Sequence, residues 1–229
     1  MSWVKVDMEQ YPRREHYEHY LHHVRCGYGM TVQLDVTNLA GWTKAQGVSF
    51  YAAEIYLLAR LVNRHPEFRM CRNEAGDLGY WECSHPSYTV FHPETETFSV
   101  LWTEYAEDFS DFYRNYQADL LAYGGNPGFE GKPGTPPNTF DVSSIPWAHY
   151  TDFHLDLFDG GGYLLPIFTL GQYAEVNGRR LLPVTAQVHH AVCDGYHLSR
   201  FFRELQQLAE ESRDFLQPSD NINKSVVIS

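Results

Sequence analysis

Two periodicities meet in residues 182–208, and their junction constrains the fold more than any other stretch of the chain. Leu182, Val184, Ala186 and Val188 alternate with Pro183, Thr185 and Gln187, the period of two expected of a half-buried strand. Leu198, Phe201, Phe202, Leu205 and Leu208 then recur at the spacing of one helical face. Only His189-His190-Ala191-Val192-Cys193-Asp194-Gly195-Tyr196-His197 joins them, so the chain must turn sharply at Asp194-Gly195. Continuing the pleat places His190 on the apolar side of the strand, where its ring would be held rigidly.

Bases, an acid and a thiol crowd into that junction, and three chemistries compete for them. Metal ligation uses imidazole, thiolate and carboxylate, and His189, His190, Cys193, Asp194 and His197 supply all three. Adjacent strand residues point to opposite faces, however, and no paired CxxC or HExxH motif stands elsewhere in the chain; no metal site is expected. A buried histidine satisfied by hydrogen bonds is the plainest alternative. The third is a general base, because neutral imidazole can take a proton from a hydroxyl near physiological pH.

Elsewhere the chain reads as one domain. Its 229 residues, 43% hydrophobic and 15% aromatic, can bury one substantial core. We expect that domain over residues 1–215, with a polar, flexible tail over 216–229. Residues 15–23 predict a short helix and residues 30–37 a strand. Ser49 is placed to cap a helix carrying Ala52, Ile55, Leu58, Ala59 and Val62, stopped before His65-Pro66. A strand-rich stretch over 78–104 precedes a helix bearing Phe109, Phe112, Tyr113, Tyr116 and Leu120. Residues 123–140 form a long Gly- and Pro-rich loop, and Asn177-Gly178 a hairpin turn. This mixture predicts an α/β or α+β two-layer sandwich, a large mixed β-sheet flanked by helices.

Charge and targeting narrow the function. A net charge of -12 disfavours nucleic-acid binding, while a few local cations could still hold an anionic cosubstrate. No run of about 20 apolar residues offers a membrane span, and MSWVKVDMEQ lacks a signal-peptide core. With Cys26, Cys71, Cys83 and Cys193 as the only cysteines, reduced thiols in a cytoplasm are expected.

The pattern HHxxxDGxH after Gln187-Val188 resembles that of the chloramphenicol acetyltransferases and, more distantly, the dihydrolipoyl acyltransferases of 2-oxoacid dehydrogenase complexes. Further blocks follow in family order: Arg13-Arg14-Glu15-His16-Tyr17, Cys26-Gly27-Tyr28, Thr89-Val90-Phe91-His92, Glu94-Thr95-Glu96-Thr97-Phe98, Ser143-Ser144-Ile145-Pro146-Trp147 and Pro166-Ile167-Phe168-Thr169. The chain is identified on these residues as a member of the trimeric chloramphenicol acetyltransferases. The resemblance implies a coenzyme A-dependent acyltransferase fold, acetyl-CoA as co-substrate with no tightly bound cofactor, and chloramphenicol acetylated on its primary hydroxyl, which confers antibiotic resistance. It also implies a homotrimer with sites at subunit interfaces, the catalytic histidine from one chain and much of the antibiotic pocket from its neighbour.

Residue roles follow from the same resemblance. His190 matches the general base, Ser143 the serine that donates to the tetrahedral oxyanion, and Thr169 a threonine acting there through water, with no acyl-enzyme. Asp194 invites a triad reading, but the matching family aspartate pairs with an arginine, here Arg13, and both support the active-site turn. Tyr20, Val24, Cys26, Tyr28, Phe98, Phe129, Leu155 and Tyr163 match pocket residues, and Trp147 and Tyr173 match coenzyme A contacts. Tyr28 stands where phenylalanine is common and is expected to add a hydroxyl to the pocket, and Gln172 stands where some relatives carry lysine. His189 and His197 fall to structural hydrogen bonds, and Cys193 to a buried hydrophobe. The alternatives are a related acyltransferase for another alcohol, a zinc-dependent hydrolase, and a binding homologue without turnover.

Overall fold

The strand that leads into the histidine pair is covered on both faces, not one. The structure, a computed structural model, describes residues 2–158 and 160–216. In chain order its elements are β1 (Trp3–Lys5), α1 (Arg14–Glu18) running into a π-helical turn (His19–His23), β2 (Gly27–Asp35), α2 (Thr37–Gln46), α3 (Phe50–Arg64), β3 (Met70–Arg72), β4 (Leu78–Trp81), β5 (His85–His92), β6 (Thr97–Trp102), α4 (Phe109–Tyr123), β7 (Thr139–Ser144), β8 (Ile167–Leu170), β9 (Ala174–Val176), β10 (Arg179–His189), α5 (Gly195–Glu210) and α6 (Ser212–Phe215).

The main sheet runs β2-β10-β8-β7-β5-β6, with β9 beside β10, and β1-β4-β3 form a separate small sheet. β8, β7 and β5 are mutually parallel, and the other pairings antiparallel, so the sheet is mixed, as the sequence implied. Helices α2, α3 and α5 bury one face. On β10 the side chains of Leu182, Val184, Ala186 and Val188 meet them, and Leu198, Phe201, Phe202, Leu205 and Leu208 of α5 are all buried in return. Phe201 stacks on Phe168 of β8 at 5.2 Å and leans on Phe68 at 4.7 Å, each such buried side chain contributing about 1.5–3 kcal/mol.

Pro183 and Thr185, expected in solvent, are buried as well. The irregular segment after β7 crosses the second face: Gln33 donates to the Tyr150 carbonyl at 3.0 Å and the Tyr150 hydroxyl donates to the Thr169 carbonyl at 2.7 Å. Gly171 lets it lie that close, because a Cβ there would fall 2.6 Å from Pro183 and 2.7 Å from the Tyr150 ring. A polar alternate position thus marks a hydroxyl-lined layer and not a wet surface.

Local signals hold elsewhere. The Ser49 hydroxyl accepts from the Ala52 amide at 3.3 Å to cap α3, and Asn177-Gly178, both at positive φ (51° and 78°), close the β9–β10 hairpin. Helix α2 was not anticipated; Leu39 and Trp42 are its only large buried apolar residues, too sparse for a clear period. No helix among the described residues is long and apolar enough to cross a membrane. Leu216, placed in the tail by sequence, is buried; residues 217–229 lie outside the described residues.

Candidate active site

Strand β10 ends at His189, so the pleat does not carry through to His190, and that ring sits half-buried at the sheet end instead of in the core. Its amide donates to the Cys26 carbonyl at 2.9 Å. Its ring stacks on Tyr20, with centroids 3.9 Å apart and planes 7° from parallel, and meets the edge of Tyr28 at 5.3 Å. Nδ1 is buried with no hydrogen-bond partner, which leaves Nε2 as the nitrogen available to a reacting group.

The turn that holds this ring is braced from below. Arg13 pairs through Nη1 with Asp194 Oδ2, and its Nη2 donates to the His190 carbonyl at 3.4 Å. Asp194 Oδ1 accepts the Tyr196 amide at 3.1 Å, the N-cap of α5, and lies 2.8 Å from His197 Nδ1. That same nitrogen lies 3.2 Å from the Asp194 amide; a neutral ring accepts the amide proton and completes a capping box, and a protonated ring donates to Oδ1 instead. Burial opposes ionisation of Asp194, yet Arg13 and His197 hold its carboxyl below the usual carboxylate range. Its partners are therefore Arg13, His197 and the helix amide, and the His190 ring is not among them.

Two neighbours of the turn are inert by burial. Desolvation, with Glu67 and Asp194 nearby, pushes the Cys193 thiol up. The Tyr28 hydroxyl, expected in the pocket, is buried instead, and desolvation together with Cys193 and Asp194 pushes it up too. His189 turns its Nδ1 to the Ala191 amide at 3.1 Å. Among the described residues no three His, Cys, Asp or Glu side chains converge as a metal would need.

Ser143 and Thr169 lie elsewhere. They are cross-strand neighbours on β7 and β8, and Thr169 in turn faces Thr185 of β10, which lines the three hydroxyls along one sheet face. His190 is five residues beyond Thr185 along the chain. At about 3.3 Å per residue and about 4.8 Å per strand, Ser143 and His190 are about 19 Å apart at Cα. One chain does not bring His190 and these hydroxyls together.

The remaining candidates divide into groups. Tyr20 of the π-turn, Cys26 just before β2 and Tyr28 of β2 touch His190, while Val24, between the π-turn and β2, is exposed. Leu155 and Tyr163 line a cavity of about 460 Å³ with Cys26, Val188 and His189. Phe98 and Phe129, both exposed, meet edge to face at 6.0 Å beside a cavity of about 410 Å³. Trp147, also exposed, rests on Phe91 at 4.5 Å. Tyr173 meets Phe50 at 5.8 Å in the wall of a third cavity, about 610 Å³, with Lys44, Glu54, Ser144, Gln172 and Arg180. Lys44, Glu54 and Arg180 were not singled out from sequence; the clue was Glu54, which with Arg60 is the only charge in the apolar run 50–62.

The sequence profile of the chloramphenicol acetyltransferase family matches residues 1–206. The chain belongs to the chloramphenicol acetyltransferase family. A chloramphenicol acetyltransferase of Clostridium perfringens is 48% identical over 216 residues, covering 94% of this chain and 99% of that one. One of Streptomyces acrimycini is 46% identical over 203 residues, covering 89% and 92%. The chain is thus an acyltransferase of this family. A solved structure named chloramphenicol acetyltransferase superposes with a TM-score of 0.81 at 22% identity, covering 94% of this chain and all of that one. The dihydrolipoamide acetyltransferase of Azotobacter vinelandii superposes at 0.65 and 17% identity, covering 84% of each. At these identities the likeness speaks for the fold, the mixed-sheet acyltransferase architecture that the family shares.

Proposed function

We propose that the chain is a chloramphenicol O-acetyltransferase that moves acetyl from acetyl-CoA to the primary hydroxyl of the antibiotic, in the cytoplasm, at sites completed between copies of itself in a homotrimer. The separation of about 19 Å between His190 and Ser143 carries the assembly: the two act on one reaction only if a neighbouring chain brings its Ser143 to this chain's His190. A cyclic trimer does so with one heterologous interface repeated three times. The names of the relatives support the substrate, and the exposed Phe98 and Phe129 offer the apolar surface an aryl acceptor needs.

The chemistry follows from the positions. His190 Nε2 takes the proton of the acceptor hydroxyl as its oxygen attacks the thioester carbonyl, which makes a tetrahedral oxyanion. Ser143 of the neighbouring chain donates to that oxyanion, and Thr169 donates through water. Collapse breaks the carbon–sulfur bond, and the departing thiolate takes back the proton from His190. No acyl-enzyme forms, because the acceptor oxygen attacks directly. Tyr20, stacked on the ring, and the Arg13–Asp194 pair below it fix the imidazole before substrate arrives.

Thiol release from acetyl-CoA, measured with chloramphenicol and a panel of other alcohols, tests the substrate. Release with another alcohol but none with chloramphenicol would reassign the acceptor. His190→Ala should lower turnover by about 10²-fold or more with substrate binding retained; near wild-type activity in a preparation free of host enzyme would remove His190 from the mechanism. Sedimentation should give three chains per particle.

A further inference from the structure

Phe129 stands on a stretch of chain with almost no core of its own. From the end of α4 at Tyr123 to the start of β7 at Thr139 no regular element forms, and between them only Gly131 and Asn138 are buried. Phe129 itself is 68% exposed, so its own burial does not hold it. Its place is set by an isolated parallel bridge, Val100 of β6 opposite Glu130. The Phe129 carbonyl accepts the Val100 amide at 2.7 Å, and the Gly131 amide donates to the Val100 carbonyl at 3.1 Å. Gly131 permits that approach, because a Cβ there would fall 2.8 Å from Leu101 Cδ1 and 2.9 Å from Ser99 Oγ. The bridge brings the Phe129 ring to Phe98, but so few hydrogen bonds are a weak hold on a loop of this length.

The next residue supplies the rest. Lys132 turns inward, and its ammonium donates to Asp119 Oδ1 of α4 at 2.7 Å and to the Trp102 carbonyl at the end of β6 at 2.9 Å. It also lies 3.7 Å from the centre of the Trp102 ring, a close cation–π contact. The Lys132 and Asp119 side chains are 13% and 14% exposed, so solvent screens the pair little. Asp119 is fixed in turn: its Oδ2 accepts the Thr103 hydroxyl at 2.7 Å, and that hydroxyl lies 2.8 Å from the Tyr88 hydroxyl of β5. Thr103 and Tyr88 are fully buried. A buried ion pair adds little net stability over apolar side chains of the same size, yet this one ties an irregular loop to α4, β6 and β5 three residues from an exposed ring.

We propose that Lys132 is a positioning residue for the acceptor. By clamping the loop to Asp119 and Trp102 it holds Phe129 against Phe98, and so fixes the apolar wall that receives the aryl group. This rests on the reading of Phe98 and Phe129 as the acceptor surface.

The test removes the clamp and the ring separately and together. Lys132→Met alone strands a buried carboxylate, so Asp119→Asn is made in the same chain to leave no unpaired charge. Phe129→Ala should raise the KM for chloramphenicol about tenfold, the scale of apolar contacts in a pocket. Loss of the clamp should raise it about fivefold, with kcat and the KM for acetyl-CoA unchanged. Removing the clamp from Phe129→Ala should raise the KM no further, because the ring it positions is gone. A lowered Tm with both KM values unchanged, or a clamp effect that persists in full without Phe129, overturns the proposal. No change in KM for chloramphenicol in Phe129→Ala overturns the acceptor wall, and the proposal with it. If wild type does not acetylate chloramphenicol at all, the acceptor reading has failed instead, and amide hydrogen exchange still decides the clamp. Faster exchange confined to residues 126–134 on its removal upholds it, and unchanged exchange there refutes it.

Discussion

Asp194→Asn keeps a side chain able to cap α5 and deletes the charge that faces Arg13, which isolates the brace under His190. Stripping one member from a fully buried pair costs about 3–5 kcal/mol, and from an exposed pair about 0–1 kcal/mol. The Arg13 and Asp194 side chains are 16% and 30% exposed, so an intermediate loss of about 2 kcal/mol is expected. In a chain of this size that lowers the Tm by about 4–8 °C. Asp194→Ala should lose about 1 kcal/mol more, because the cap goes too. Arg13→Val removes the same pair and the contact to the His190 carbonyl, and should match Asp194→Asn in stability and in activity. The double variant should be little worse than either single one. Thermal unfolding and thiol-release kinetics on the four proteins measure this cycle. Additive losses, or a steep fall in activity in Asp194→Asn while Arg13→Val stays near wild type, would show Asp194 orienting the imidazole itself and refute the brace. Acid adds a second check. Because Asp194 is held below its ordinary value in the fold, its contribution is complete above about pH 4 and is lost as pH falls through the lowered value. The stability gap between wild type and Asp194→Asn should therefore be full at pH 7 and close on acidification below about pH 4.

Two further outcomes are expected. Ser143→Ala should lower kcat by about 10²-fold with little change in either KM, the scale for one oxyanion donor; a raised KM with kcat intact would make Ser143 a binding residue. Glu54, whose carboxyl is raised by burial beside Tyr51 and Tyr116, penalises the fold increasingly as pH rises above about 4.3, where the unfolded chain gives up its proton. The Tm gain of Glu54→Met should therefore be larger at pH 8 than at pH 4.5, and a gain independent of pH would mean that Glu54 is ionised in the fold.

Much of the layer structure could be read in the sequence because it rests on local period. Leu182 to Val188 and Leu198 to Leu208 carry their own geometry, and Ser49 and Asn177-Gly178 mark ends by backbone chemistry alone. Helix α2 escaped because two large apolar residues cannot set a period. The burial of Pro183 and Thr185 escaped because the cover is a segment some 30 residues away, bonded through Tyr150 and Gly171. The position of His190 was misjudged by carrying a pleat one residue past His189, the last residue of β10 in register with β2. Lys44, Glu54 and Arg180 come from three elements and share only a cavity, which no linear spacing records.

In the proposed assembly, where His190 and Ser143 of one chain lie far apart and meet only across an interface, catalytic competence belongs to a junction and not to a polypeptide. A polypeptide lacking His190 still carries an intact Ser143 for its neighbour, and one lacking Ser143 still carries an intact imidazole. Two alleles that are each null alone would therefore complement when expressed together, with about a quarter of the junctions whole under random mixing. Dilution below the assembly threshold would silence the wild-type chain without unfolding it.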